Sequence, residues 1–431
     1  MAAGIPFTTP VSCDSNSLAL EVIARCRKLA QFSEDEGSTR RTFLCRAMHD
    51  CHRELIMWLR AAGATPTIDA AGNLRALYPG LQPDVPRLVL GSHLDTVPNA
   101  GAYDGVLGVV LVITLVEALK RKKLPFAIEV IGFSDEEGIR FRMPFIGSLA
   151  VVGGLGEEHM ELRDSRGISL RQAIRDFGLD PEQIPEAVLK EDTFGYVEFH
   201  IEQGPVLEKL NRSLAVVEAI TGQSRLEFTF IGRANHAGTT PMHLRQDALA
   251  GAAEWIGCVE HLAGSVPGLA ATVGNIEVRP GAVNVIAGEA RATLDVRHRS
   301  DATRMNAVKD LCWHAGAIAQ RRDLALKQTV LLHQKAVELS PCLGNEIEQA
   351  IRKAGCEPYR MASGAGHDAM IVAKRIPAGM VFLRTPGSIS HRPDERVEVA
   401  DVARAIDCGL HLLHQLAVSG LLSKHTPVMA E

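Results

Sequence analysis

The chain has 431 residues, 46% of them hydrophobic and 23% charged, with a formal net charge of −5. Such a length exceeds one typical domain and supplies a large core, so two domains are expected. The mild acidity gives no reason for a nucleic-acid or anionic membrane partner, and no uninterrupted apolar stretch is long enough to span a bilayer.

In chain order, the start MAAGIPFTTPVSCDSNS has no basic segment followed by an apolar core, so no secretory signal is expected. Residues 17–63 read as two helices, the second ending at Gly63. His49, His52, Cys45 and Cys51 fall within that pattern and read as packed or solvated residues, not ligands. The nine cysteines are scattered and never in C-x-x-C spacing, which fits a reduced, cytoplasmic protein. An apolar run at Leu88–Leu90, a helical pattern over 108–121 and a second apolar run over Phe126–Phe133 then alternate as strand, helix, strand. That alternation predicts an α/β sheet with helices on its faces.

The middle of the chain changes character. RLEFTFIGRA alternates like a half-exposed strand, a helix is predicted over 245–262, and strands with Gly- and Pro-containing turns follow. A helix over 301–321 and the strand LALKQTVLLHQ complete a strand–helix–strand–strand–helix–strand order, which is ferredoxin-like. This unit is expected at 214–332, inserted into one catalytic domain formed by 1–213 and 333–431. The last helix is predicted over 399–422.

Several apolar runs end in imidazole and carboxylate groups. RLVLGSHLDTVPNAGAYDGVLG carries His93, Asp95 and Asp104; Glu136 and Glu137 follow FAIEVIGFSD; His200 lies in YVEFHIEQG; His391 follows VFLRTPGSIS. Alone, His93 and Asp95 could cap a loop, and SDEEG could be a solvated acidic turn. Together, strand ends bearing these groups without thiolate suggest a divalent centre of one or two ions, suited to Zn, Mn, Co or Ni. Asp95, two residues from His93, is placed to orient its imidazole. Adjacent Glu136 and Glu137 repel one another, so one ligating and one proton-accepting glutamate is a consistent division.

GSHLDT, GAYDGVLGV, SDEEGIRF, FHIEQGP, RANHAGTTPM, SGAGHDAM and ISHRPDE, in that order from about residue 20 to 420, resemble the amidase/carbamoylase branch of the M20 metallopeptidase clan. That branch includes allantoate amidohydrolases, N-carbamoyl-L-amino acid hydrolases and β-ureidopropionases. The resemblance implies a di-metal aminopeptidase-like α/β catalytic domain with an inserted ferredoxin-like α+β lid, which also forms a homodimer interface. It implies two divalent ions per subunit. His93, Asp104 and His200 would hold one, with Asp104 the candidate bridge, and Asp104, Glu137 and His391 the other. Glu136 would be the general base, Asp95 the orienting residue, and His236 in NHAGTTPM a stabiliser of the tetrahedral intermediate. His243 stays an ordinary helix-start residue.

Asn284 in GAVNVIAG and Arg297 in LDVRHRS match the family's substrate contacts, and an arginine fork grips a carboxylate in two bonds. Gln203 and Gln223 are amides able to meet a ureido group, with a polar loop residue the alternative for Gln223. His367 either contacts substrate or braces its loop. Met370 and the RTPGSISHRPDE run favour allantoate amidohydrolase, acting on a small ureido carboxylate, over N-carbamoyl-L-amino acid hydrolase or β-ureidopropionase. Ser388 departs from the glycine usual in relatives. A catalytically silent metal-binding dimer is the alternative from another class, but no ligand or base of the set is missing.

Overall fold

The computed structural model describes residues 14–418, in two compact units: 14–218 with 339–361 and 367–418, and 219–338 with 362–366. The N-terminal stretch read for a signal lies mostly outside the described residues, as does the expected end of the last helix at Leu422.

The first unit is built on a mixed sheet. Its strands run in the order Thr65–Ile68, Leu74–Tyr78, Ala127–Phe133, Arg87–His93, Thr193–Ile201, Ala378–Leu383, Leu214–Ile220. The middle four are parallel, and antiparallel pairs flank them on both sides. Ala127–Phe133 and Thr193–Ile201 are buried at every position, as continuous apolar runs in a doubly covered sheet must be. The Thr65–Ile68 and Leu74–Tyr78 hairpin was not anticipated; TPTI and LRALY are too short to carry a clear period.

Helix Val106–Ala118 is apolar all round and accordingly buried at nearly every position. It lies so close to the sheet that a Cβ on Gly108 would stand 2.1 Å from the Phe199 carbonyl oxygen. Ser15–Ala30 is capped by Asp14, and Pro341–Lys353 by Ser340 with proline at its first turn. No described helix is long and apolar enough to cross a membrane.

The second unit has an antiparallel sheet in the order Ile276–Arg279, Glu289–His298, Gly222–Ile231, Ala325–Gln334, with Ala270–Thr272 beside Glu289–His298. Helices Ala248–Ser265 and Asp301–Arg321 connect these strands in the ferredoxin-like order. Trp255 is fully buried against Phe228 and Phe230, and its indole N–H donates to the Leu311 carbonyl at 3.0 Å. The unit begins and ends later than the 214–332 expected from sequence. The reason is backbone pairing: Leu214–Ile220 reads like a lid strand but hydrogen-bonds to Ala378–Leu383 of the other unit's sheet.

Candidate metal centre

The C-terminal ends of the parallel strands deliver one cluster, where open α/β sheets build their sites. His93 ends Arg87–His93, Glu136 and Glu137 follow Ala127–Phe133, His200 is penultimate in Thr193–Ile201, and His391 lies beyond Ala378–Leu383. Asp104 sits in the turn before Val106–Ala118, where Gly105 has φ 65° and a Cβ there would be 2.4 Å from His93 Nε2. Only glycine meets both demands.

Asp104 is the centre of the cluster. Its Oδ1 lies 3.2 Å from His200 Nε2 and 3.7 Å from His93 Nε2, and those two nitrogens are 3.4 Å apart. Its Oδ2 lies 3.0 Å from His391 Nε2, which is 3.5 Å from Glu137 Oε1. Ligand atoms about 3.3 Å apart are what a tetrahedral ion with bonds of about 2.0–2.1 Å requires. His93, Asp104 and His200 form one triad, and Asp104, Glu137 and His391 another, each with its ligand atoms within 4.8 Å of one another. Asp104 Oδ1 is buried without a well-formed hydrogen bond, a costly state that a cation relieves. The donor set therefore fits a divalent metal centre.

Second contacts aim the ligands. His93 Nδ1 is 3.0 Å from the Asp95 carbonyl oxygen and His200 Nδ1 is 2.8 Å from that of Ile201. Carbonyls accept only, so the ring protons belong on Nδ1 and both Nε2 lone pairs face the cluster. Asp95 thus meets His93 mainly through its backbone. Its carboxylate, 3.6 Å from His93 Nδ1, instead accepts the N–H groups of Glu136 and Glu137, each at 3.0 Å. Gln203 Nε2 donates to Asp104 Oδ2 at 2.8 Å and to Ser390 Oγ at 3.2 Å, so this amide is turned onto the acidic cluster. Asp135, Gln203, Ser388 and His391 all have φ between 55° and 59°, a concentration of left-handed backbone around the site. Ser388 therefore occupies a left-handed conformation that favours glycine.

Electrostatics separate the carboxyls. Burial would raise Asp104, but the imidazoles of His200, His391 and His93 hold it well below the usual carboxylate range. Burial pushes Glu136 well above that range despite the pull of His93, and Glu137, Asp368 and Asp95 add to the rise. Burial and Asp104 push Glu137 up to about 7, and the contact with Asp104 is the largest influence raising His391 to about 9. Raised proton affinity at Glu136 beside a carboxylate held low at Asp104 is the pattern expected of a proton-handling residue.

Sequence reasoning did not single out Glu198 or Glu395. Glu198 is fully buried, accepts from Ser92 Oγ at 3.2 Å and the Ala369 N–H at 2.9 Å, and forms a third triad with His200 and His367. A glutamate inside the apolar strand YVEFHI was the available signal. His367 is buried with its ring 4.4 Å from that of His200. Met370 is buried in the short helix after it. His52 is buried beside Phe177, on which His49 stacks at 3.7 Å, and neither histidine belongs to any of the candidate triads.

The other predicted residues lie on the second unit, in two places. His236 and Asn284 are exposed neighbours: Val285 pairs with His236, and the Ala237 N–H donates to the Asn284 carbonyl at 2.9 Å. Gln223 and Arg297 face each other across paired strands, Gly222–Ile231 and Glu289–His298, so Gln223 is a strand residue and not part of a loop. Both bind Asp295: Gln223 Nε2 at 2.6 Å, Arg297 Nε at 2.8 Å and Nη2 at 3.1 Å, while Arg297 Nη1 donates to the Gly364 carbonyl at 2.7 Å.

The chain is similar to known proteins over most of its length. Residues 89–415 match the model of peptidase family M20/M25/M40. The chain is 39% identical over 363 residues to the N-carbamoyl-L-amino acid amidohydrolase of Geobacillus stearothermophilus, covering 84% of this chain and 89% of that one. It is 36% identical over 434 residues to allantoate deiminase 1 of Glycine max, covering 92% and 89%. A hydantoinase/carbamoylase family amidase from Burkholderia multivorans superposes with a TM-score of 0.88 at 28% identity, covering 95% of this chain and 100% of that one. The chain belongs to peptidase family M20/M25/M40, in its hydantoinase/carbamoylase branch of metal-dependent amidohydrolases acting on C–N bonds.

Proposed function

We propose that this protein hydrolyses the ureido C–N bond of a small carboxylate, with allantoate the first candidate. The observation that carries the reaction class is Asp104 shared by two ligand triads, with Glu136 in a further group beside His93 and Glu137. His93 and His200 would share one divalent ion with Asp104, and Glu137 and His391 a second. When bound, such ions supply Lewis-acid polarisation of the ureido carbonyl. Glu136 accepts the proton of the attacking water and returns it to the departing nitrogen as the C–N bond breaks. Ammonia leaves, and the carbamate left behind loses carbon dioxide to give the amine. Asp95 holds Glu136 and Glu137 in place by their backbone N–H groups. His236 is assigned to the developing oxyanion, Asn284 and Arg297 to the substrate carboxylate, and Gln203 and Gln223 to the ureido group.

Allantoate is supported by the run of matches to plant allantoate deiminases across 92% of the chain. The 39% identity to a carbamoylase favours an N-carbamoyl-L-amino acid as the second reading. Apo protein reloaded with manganese and assayed for ammonia on allantoate and on a panel of N-carbamoyl-L-amino acids tests the choice. Allantoate alone turning over supports the first reading; carbamoyl amino acids alone overturn it and leave the reaction class standing. Glu136→Gln should keep its metal and lose about 10²–10⁴-fold in kcat; unchanged turnover refutes the mechanism.

The inserted unit is also the proposed dimer interface. Ala325–Gln334 is an edge strand with Val330 and Leu331 more than half exposed, and such edges pair with another chain unless protected. A monomer by light scattering would remove this proposal. Cytoplasmic location is proposed from the free state of every described cysteine.

A further inference from the structure

We infer that Glu395 is a positioning residue for Asp104, holding the backbone of the carboxylate that both triads share. The inference rests on the reading of Asp104 as a metal ligand. Its basis is a second carboxylate beneath the loop. Glu395 Oε1 accepts the N–H of Tyr103 at 2.8 Å and of Asp104 itself at 3.0 Å. Two N–H donors converging on one carboxylate oxygen set both the position and the tilt of the Asp104 peptide. Glu395 is 5% exposed, so water does not compete for the same donors.

The fit admits no slack. A Cβ on Gly101 would stand 2.4 Å from Glu395 Cβ and 2.6 Å from its Oε1, so the loop rests directly on this side chain. The chain segment that supplies Glu395 also supplies Ser390, whose Oγ is 3.3 Å from Asp104 Oδ2, and His391, whose Nε2 is 3.0 Å from the same oxygen. One short stretch thus grips Asp104 at its backbone through Glu395 and at its side chain through Ser390 and His391.

The arrangement repeats elsewhere in the cluster. Asp95, two residues beyond His93, holds the N–H groups of Glu136 and Glu137 at 3.0 Å each. Glu395, four residues beyond His391, holds those of Tyr103 and Asp104. In both cases a carboxylate close in sequence to one imidazole fixes the backbone of at least one carboxylate contributed by a distant segment of the chain. The strand ends are therefore cross-braced, and Glu395 is the brace on the shared ligand. A neutral, solvent-facing loop would have no need of a buried carboxylate in an already acidic cluster; one that must present Asp104 to within a few tenths of an ångström does.

The test is manganese titration by calorimetry on the full chain stripped of metal, with melting of the metal-free proteins measured alongside. Glu395→Ala should lower manganese affinity about 10–100-fold. Glu395→Gln keeps an acceptor oxygen at the same reach and should stay within about threefold of wild type. Glu395→Asp keeps the charge but withdraws it from both N–H groups, and should lose affinity as the alanine variant does; it carries the test where the alanine variant does not fold. Asp104→Asn separates this inference from the site reading beneath it. If Asp104→Asn binds manganese as wild type does, the ligand assignment fails. If Asp104→Asn loses binding while Glu395→Ala and Glu395→Asp keep wild-type affinity, with or without a lowered melting temperature, the positioning role alone is overturned. A glutamine variant as impaired as the alanine variant overturns the hydrogen-bond argument.

Discussion

Replacing Gly105 by alanine probes the centre without replacing a ligand. The new methyl carbon would lie 2.4 Å from Cε1 and Nε2 of His93 and 2.5 Å from Cδ2. Carbon contacts settle at about 3.5–4.0 Å, so the imidazole must retreat by about 1 Å. Its ring is 2% exposed and tied to the Asp95 carbonyl at 3.0 Å, which leaves little room to yield. Metal–ligand distances tolerate only about 0.2 Å, so a displacement of that size removes His93 from its triad. Overpacking adds roughly 1–3 kcal/mol of destabilisation, and alanine at φ 65° roughly 1–2 kcal/mol more. Gly37→Ala is the control: it has φ 76° and nothing within 4 Å of a built Cβ, so it carries backbone strain alone. Metal analysis after dialysis against manganese, with melting of the metal-free proteins, reads both effects. Gly105→Ala should bind less metal than wild type and Gly37→Ala the full complement. Equal metal content and affinity in Gly105→Ala and wild type would show that His93 does not need the space beside residue 105, and the geometry argued for the first triad would fall.

Three other outcomes are expected. Without metal, Glu137 titrates near about 7 and His391 near about 9, and both must be deprotonated to ligate. Manganese uptake should therefore release protons, and apparent affinity should rise from pH 6 to 9 and level off above; calorimetry in buffers of different ionisation enthalpy checks this, and a flat profile refutes it. Arg297→Lys keeps the charge but loses the fork, so KM for a carboxylate substrate should rise by about tenfold or more while metal content stays unchanged; a KM equal to wild type removes Arg297 from the substrate. Asp401 is fully buried and receives Arg384 Nε at 2.7 Å and Nη2 at 2.9 Å. Asp401→Ala should cost about 2–3 kcal/mol in urea unfolding, less than a fully buried pair because Arg384 is 21% exposed, and should leave the metal centre intact.

Much of this protein can be read from its residues in order. Strand cores such as AIEVIGF and TFGYVEFHI announce themselves because a doubly covered parallel strand must be apolar throughout, and the polar groups that end them mark the sheet's C-terminal rim. His93, Asp104, Glu136, Glu137, His200 and His391 were legible for that reason. The helix 301–321 was legible to the residue because Ser300 caps it and its pattern is long. Other features depend on contacts between segments far apart in the chain, and no local pattern encodes them. Leu214–Ile220 looks like part of the insertion until its backbone is seen pairing with Ala378–Leu383. Asp95 was assigned to His93 by spacing, yet its carboxylate holds Glu136 and Glu137, 41 and 42 residues away. Glu395 reads as an ordinary acidic residue in HRPDE until the Tyr103 and Asp104 N–H groups are found on it, 292 and 291 residues distant. Residue type and period determine which groups reach the rim; only packing of the strand ends against one another decides which carboxylates are left to face a cation and which are spent holding the others in place.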